Sequence, residues 1–210
     1  MKERKNVKLN LGCGWIYKAG WVNIDKYETA VADIICDIAV LPFTSCSVEA
    51  IEASHVIEHF DYIHCKYLLS EWFRVLRPGG TLIIETPDLE KSFKKFLKGN
   101  KECKEKTLQW IYGIDSPGMQ HKTGFTYDFL KELLREIGFE KVQKEKPKSY
   151  TNEPGIRIVC KKPINCKEKQ FFAEFRVRLK SRMGCDNSFL LIPLEKYVKK
   201  SNRDFSKKKP

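Results

Sequence analysis

The sequence has no Cys-x-x-Cys pair, and its eight cysteines, at 13, 36, 46, 65, 103, 160, 166 and 185, share no recurring spacing. That excludes the disulfide frameworks of short secreted domains and the paired spacings of zinc sites. The cysteines are expected to be reduced and to serve mostly as small buried apolar residues. No run approaches the roughly 18–20 uninterrupted apolar residues that span a bilayer. The opening Met1-Lys2-Glu3-Arg4-Lys5-Asn6 leads into an apolar run of only about five residues, too short for a secretory leader, and no small-residue cleavage site follows. A cytoplasmic location is the expectation. Internal repeats are also missing.

What remains is an ordinary apolar and charged content, 42% and 31%, in 210 residues, enough for one core. The charge is unevenly placed. Residues 1–160 hold 24 Lys/Arg against 22 Asp/Glu, whereas 161–210 hold 15 against 5. A nearly neutral body, 1–162, is therefore expected to carry a basic C-terminal extension, 163–210.

Short apolar runs alternate with helical stripes along the body. Val7–Leu11, Trp21–Ile24, Ile34–Cys36 and Val48–Ser54 read as strands. Tyr67, Leu68, Trp72, Val75 and Leu76 recur at helical spacing, and Pro78-Gly79-Gly80 stops that helix. Thr81–Ile84 is a fifth strand, fully apolar as buried parallel strands tend to be. A second helix is predicted from near Asp88, and a third from a Thr126 cap to a Gly138 stop. Phe139–Val142 and Ile156–Cys160 bring the strands to seven. Such alternation indicates an α/β fold with a mostly parallel sheet.

In such sheets, ligands bind outside the carboxyl ends of the strands. The first run ends in Gly12-Cys13-Gly14, where glycines permit a sharp turn and close backbone approach. Asp25 and Asp37 end the second and third runs, placed to accept from ribose hydroxyls and an adenine amino group. Together they describe an adenosine pocket. A dinucleotide fingerprint would need a third glycine where Tyr17 stands. The alternative for the glycine pair alone is a plain strand-to-helix turn.

Four blocks in order carry a family resemblance. Leu9-Asn10-Leu11-Gly12-Cys13-Gly14 with Gly20-Trp21-Val22-Asn23-Ile24-Asp25, and then Asp37-Ile38-Ala39-Val40-Leu41-Pro42-Phe43, resemble the first motifs of class I S-adenosylmethionine-dependent methyltransferases. Ser54-His55-Val56-Ile57-Glu58-His59 resembles their fourth-strand exit, and Arg74–Leu82 their fifth-strand entry. The resemblance implies a Rossmann-like seven-stranded sheet, helices on both faces, the last strand antiparallel, and S-adenosylmethionine as cofactor. It implies cofactor contacts from Asn10, Gly12, Cys13, Gly14, Asp25, Asp37, Ile38 and His55, with His55 near the transferred methyl. Two features depart from the family pattern. Asn10 replaces the usual acidic residue, and six residues between Gly14 and Trp21 leave room for only about one turn of the usual first helix.

His55 and His121 are the candidate catalytic residues. The segment Gly118–Phe125 resembles the acceptor-side insertion of related enzymes, and an imidazole there suits a general base. The alternatives are a loop histidine bonded to nearby backbone for His55 and a solvated loop residue for His121. His55 and His59 flank Glu58, but no third ligand is convincing, so no metal site is read here.

The implied activity is methyl transfer to an O or N acceptor on a small molecule or glycan. Two others stay open: an RNA methyltransferase that grips its substrate with the basic extension, and a non-catalytic S-adenosylmethionine-binding protein. In the extension, Phe171, Phe172, Phe175, Leu179 and Met183 interleave with basic residues. It reads as a packed amphipathic element, or as a contact for an anionic partner, membrane surface or RNA.

Overall fold

The computed structural model describes residues 6–27, 29–116, 118–165 and 174. The expectations for Phe171, Phe172, Phe175, Leu179 and Met183 lie outside the described residues.

Seven strands form one sheet: β1 (Lys8–Leu11), β2 (Val22–Asp25), β3 (Ile34–Ile35), β4 (Val48–Ser54), β5 (Leu76–Pro87), β6 (Glu140–Glu145) and β7 (Gly155–Lys161). Their order is β3-β2-β1-β4-β5-β7-β6. The first five pair in parallel, and β7 runs antiparallel to both β5 and β6. Strand order reverses between β1 and β4, which places a ligand crevice outside the carboxyl ends of these strands.

Four α-helices complete the described chain: α1 (Tyr62–Val75), α2 (Leu89–Lys98), α3 (Lys101–Tyr112) and α4 (Tyr127–Ile137). Each has a side-chain N-cap satisfying a backbone N–H that would otherwise lack a partner. Asp61 accepts from Ile63 and His64, Asp88 from Lys91, Asn100 from Cys103, and Thr126 from Phe129. Helix α1 stops because Leu76 is already extended, two residues before Pro78, and the chain enters β5 at once. Strand β5 is longer than expected, since its pairing with β7 runs from Thr81–Lys161 to Pro87–Gly155.

The two sheet faces differ. Register puts Leu9, Leu11, Ile24, Ile51, Leu82, Ile84, Ile156 and Ile158 on one face, in one core cluster with Leu68, Leu69 and Trp72 of α1 and Leu130, Leu133 and Leu134 of α4. The opposite face carries Asn10, Asn23, Glu52, Glu85 and Arg157. The connections β1–β2, β2–β3 and β3–β4 contain no helix among the described residues. The short β1–β2 link cannot supply one, and side chains hold it instead. Asn10 Nδ2 donates to Asn23 Oδ1 at 2.9 Å and to the Ile16 carbonyl at 3.3 Å, and the Lys18 N–H donates to the same Asn23 oxygen.

The polar face is satisfied by charge pairing. Arg157, 3% exposed, donates to Glu52 at 3.1 Å, Glu85 at 3.0 Å and Glu145 at 3.2 Å. Glu85 is fully buried and also accepts from the backbone N–H groups of Lys148 and Ser149. Lys18 pairs with Glu52 from the other side.

Candidate active site

The glycine turn at the end of β1 is built for close approach. Gly12 and Gly14 have φ of +62° and +52°, where a side chain is strained. A Cβ on Gly12 would lie 2.4 Å from Val56 Cγ2, whereas one on Gly14 would meet no atom within 4 Å. The first glycine thus seats the His55–Val56 loop directly on the turn, and the second leaves open space above the backbone. Cys13 is buried, and burial together with the Asp25 charge pushes its thiol up to about 11, which makes it inert.

Asp25 braces this turn. Its Oδ2 accepts from the Gly14 N–H at 2.8 Å and its Oδ1 from the Tyr27 N–H at 3.0 Å, leaving a lone pair on each oxygen. Asp37 Oδ1 accepts from the Ala39 N–H, while Oδ2 lies 3.2 Å from Lys26 Nζ. The loop after Asp37 is held by α1. Trp72 Nε1 donates to the Ile38 carbonyl at 3.2 Å, Glu71 accepts from the Leu41 N–H, and Arg74 donates to the Leu41 and Phe43 carbonyls. The side chain of Ile38 belongs to the core, and Asn10 braces the 14–18 segment. Gly12, Gly14, Asp25 and Asp37 therefore share one crevice at the reversal of strand order. Two carboxylates with spare lone pairs beside an open glycine backbone fit a ligand rich in hydroxyl and amino donors.

A second group of side chains faces the exit of β4. His55 has φ of +55°, rare for a residue with a side chain, and is held by its N–H donating to the Glu85 carbonyl at 2.8 Å. Its ring meets Trp110 of α3 at 5.3 Å and Tyr150 at 4.7 Å, edge to face, and those two rings are 5.4 Å apart. Its Nδ1 lies 3.2 Å from Glu58 Oε1. Glu58 is 1% exposed, and its Oε2 accepts from the Thr86 hydroxyl. Burial alone would push the Glu58 carboxyl up, but His55 beside it holds it below the usual glutamate value.

His121 reaches the same place from far along the chain. Its segment is tied down by Lys122 and Thr123 N–H groups donating to the Glu58 carbonyl, and by its own N–H donating to Tyr112. Gly113, at φ +77°, lets this segment pass; a Cβ there would stand 2.3 Å from the Met119 carbonyl oxygen. The His121 ring lies 5.0 Å from that of His59, and burial holds its imidazole below the ordinary value. The structure thus gathers His55 and His121 around Glu58. Sequence reasoning missed Glu58, Trp110 and Tyr150 as members of this group.

A separate cleft of about 360 Å³, lined by Lys91, Lys95, Lys146, Asn152 and Pro154 among others, adjoins this group through Pro154. Trp110 Nε1 donates to the Pro154 carbonyl and fixes the shared wall.

Residues 18–144 match the family model described as a methyltransferase domain, well over half of the chain. The chain belongs to the methyltransferase-domain family. It is a class I, S-adenosylmethionine-dependent methyltransferase, with the strand order and crevice described above. Solved structures agree in fold. A SAM-dependent methyltransferase from Archaeoglobus fulgidus superposes with TM-score 0.52 at 17% identity, covering 76% of this chain and 87% of that one. A Pyrococcus horikoshii OT3 protein gives 0.52 at 18% identity, with coverages of 77% and 84%. Human N-acetylserotonin methyltransferase, solved in complex with SAM, gives 0.51 at 16% identity, covering 75% of this methyltransferase and 47% of that chain. No curated protein sequence matches. No helix among the described residues is long and apolar enough to cross a membrane.

Proposed function

We propose that this methyltransferase acts on an oxygen or nitrogen of a small molecule or glycan, with the donor in the glycine crevice and the acceptor against His55, Trp110 and Tyr150. The observation that carries this reading is the seating of Val56 on Gly12, which brings His55 beside the turn. Gly12 and Gly14 would take the methionine end, Asp25 the ribose hydroxyls and Asp37 the adenine edge, with Asn10, Cys13 and Ile38 supporting from behind. S-adenosylmethionine, when bound, supplies a methyl group already activated on a sulfonium.

The protein then has mainly to align the acceptor, since positioning accounts for much of the acceleration in such a transfer. Trp110 and Tyr150 flank the His55 ring and exclude water from one side. Where the acceptor must lose a proton, His55 Nε2 is the base at hand, with Nδ1 facing Glu58. The neighbouring cleft offers Lys146, Asn152 and Thr151 to hydroxyl or anionic groups of an acceptor that extends past Trp110.

Transfer of labelled methyl to fractionated glycan, small-molecule and RNA pools tests the acceptor class. Label in the glycan or small-molecule pool is expected; label only in RNA would overturn this reading. His55→Ala is expected to lower turnover by about 100-fold or more, the usual contribution of a positioned base, while donor affinity stays within a few-fold. An equal loss of donor affinity would make His55 a cofactor-pocket residue instead.

A further inference from the structure

Glu58, His59 and His121 each offer one ligand atom, and these atoms lie within 4.8 Å of one another. The sequence offers no convincing third ligand to His55 and His59, but the fold brings His121, 62 residues beyond His59, beside Glu58 and His59. Two independent features point to a ligand. Glu58 Oε1 is buried and makes no hydrogen bond of good geometry, and His55 Nδ1, at 3.2 Å, offsets its charge only when that ring is protonated. A buried carboxylate oxygen without a donor is costly unless a cation or proton satisfies it.

The hydrogen bonds of the imidazoles also suit ligation. His59 Nδ1 lies 3.1 Å from the Gln120 carbonyl oxygen and His121 Nδ1 lies 3.2 Å from that of Ile111. A carbonyl can only accept, so each Nδ1 carries a proton, and in the neutral ring that leaves the lone pair on Nε2. This is the outer-shell arrangement that fixes the tautomer of metal-binding histidines. A small cavity of about 10 Å³ opens between Glu58 and His121.

We infer that Glu58 Oε1, His59 Nε2 and His121 Nε2 form a divalent transition-metal site on the acceptor side of the crevice. Two imidazoles and one carboxylate suit zinc, manganese or cobalt better than calcium or magnesium, and three protein ligands leave positions open. An ion there would stand next to His55 and would hold an oxygen of the acceptor. That last role rests on the proposed acceptor side; the metal site itself does not.

The test uses Co²⁺ as a spectroscopic probe on the full-length, metal-stripped protein, with neither donor nor acceptor present. One equivalent should bind and give the visible d–d bands of nitrogen and oxygen ligation, and Zn²⁺ should displace it. His59→Ala, His121→Ala and Glu58→Gln should each weaken binding by more than about 100-fold, beyond the loss typical of an outer-shell partner. His64→Ala, an exposed histidine paired with Asp61, should change nothing. Absence of bands in the folded wild-type protein would overturn the inference and leave the cavity to a water. So would bands that survive in all three variants, or the intense near-ultraviolet absorption of thiolate ligation. Because no methyl transfer is read, failure here is separable from failure of the acceptor assignment.

Discussion

Arg157→Met should destabilise the protein by about 3–5 kcal/mol, the usual consequence of removing one partner from a buried ion pair. Arg157 is almost fully buried and is shared among Glu52, Glu85 and Glu145, so its loss leaves the fully buried Glu85 without its cation. At roughly 2–4 °C per kcal/mol for a chain of this size, the midpoint of thermal unfolding should drop by about 6–20 °C. The difference should depend on pH. Burial raises the Glu52 carboxyl, but Lys18 and Arg157 outweigh it and hold the group below its ordinary value. A carboxyl depressed in the folded state stabilises above its unfolded pKa and loses that contribution as pH falls through the folded one. The gap between wild type and variant should therefore be widest near neutrality and narrow in acid, as read by denaturant titration at several pH values. Equal stability at pH 7 would show that the polar face does not depend on this arginine.

The two glycines of the turn should fail in different ways. Gly12→Val places a side chain at positive φ and a Cβ 2.4 Å from Val56. Left-handed strain of about 1–2 kcal/mol and overpacking of about 1–3 kcal/mol should lower both stability and donor affinity. Gly14→Ala meets no protein atom, so it should cost only the strain, about 1–2 kcal/mol, in the free protein. Its methyl group would nevertheless occupy space the donor needs, and affinity should fall by about tenfold or more, as for other overpacked contacts of 1–3 kcal/mol. Thermal melts read against calorimetric titration separate the two. A Gly14→Ala protein that binds S-adenosylmethionine like wild type would remove the glycine crevice from the donor site.

The parallel half of the sheet was legible because its strands carry compact apolar runs. Strand β4 keeps its expected ends, Val48 and Ser54, and helix α4 keeps both its Thr126 cap and its Gly138 stop. Helix α1 begins five residues before its first expected member, at the Asp61 cap that was not used as a signal. Helix α3 was not predicted at all. Its Lys101–Thr107 half is polar and carries no apolar stripe, although Asn100 caps it and Glu102 and Lys106 pair one turn apart. The position of Gly12, Gly14, Asp25 and Asp37 at the carboxyl edge of the sheet was readable because each ends or closely follows an apolar run. Glu58 was not, since nothing local says that a charged residue after Val56-Ile57 is buried. Trp110, Tyr150 and His121 meet His55 and Glu58 only through the topology, and no periodicity links residues so far apart.

The polar face also explains a departure that the sequence displayed without its reason. Asn10 stands where related enzymes carry an acid. In this chain an amide donor is needed there, because Asn10 must give a hydrogen bond to Asn23 and another to the Ile16 carbonyl. A carboxylate could supply neither. The side-chain amides thus take over the positioning that a helix after β1 would otherwise perform.

The central claim, that the donor binds across Gly12, Gly14 and Asp25, is tested most directly by calorimetric titration of S-adenosylmethionine into the wild-type and Asp25→Ala proteins. Wild type should bind one equivalent per chain. The variant should bind about 30- to 1000-fold more weakly, because two charge-assisted hydrogen bonds of about 1–2 kcal/mol each are lost. Unchanged affinity in Asp25→Ala, or binding of NADH as tight as that of S-adenosylmethionine, would contradict the account.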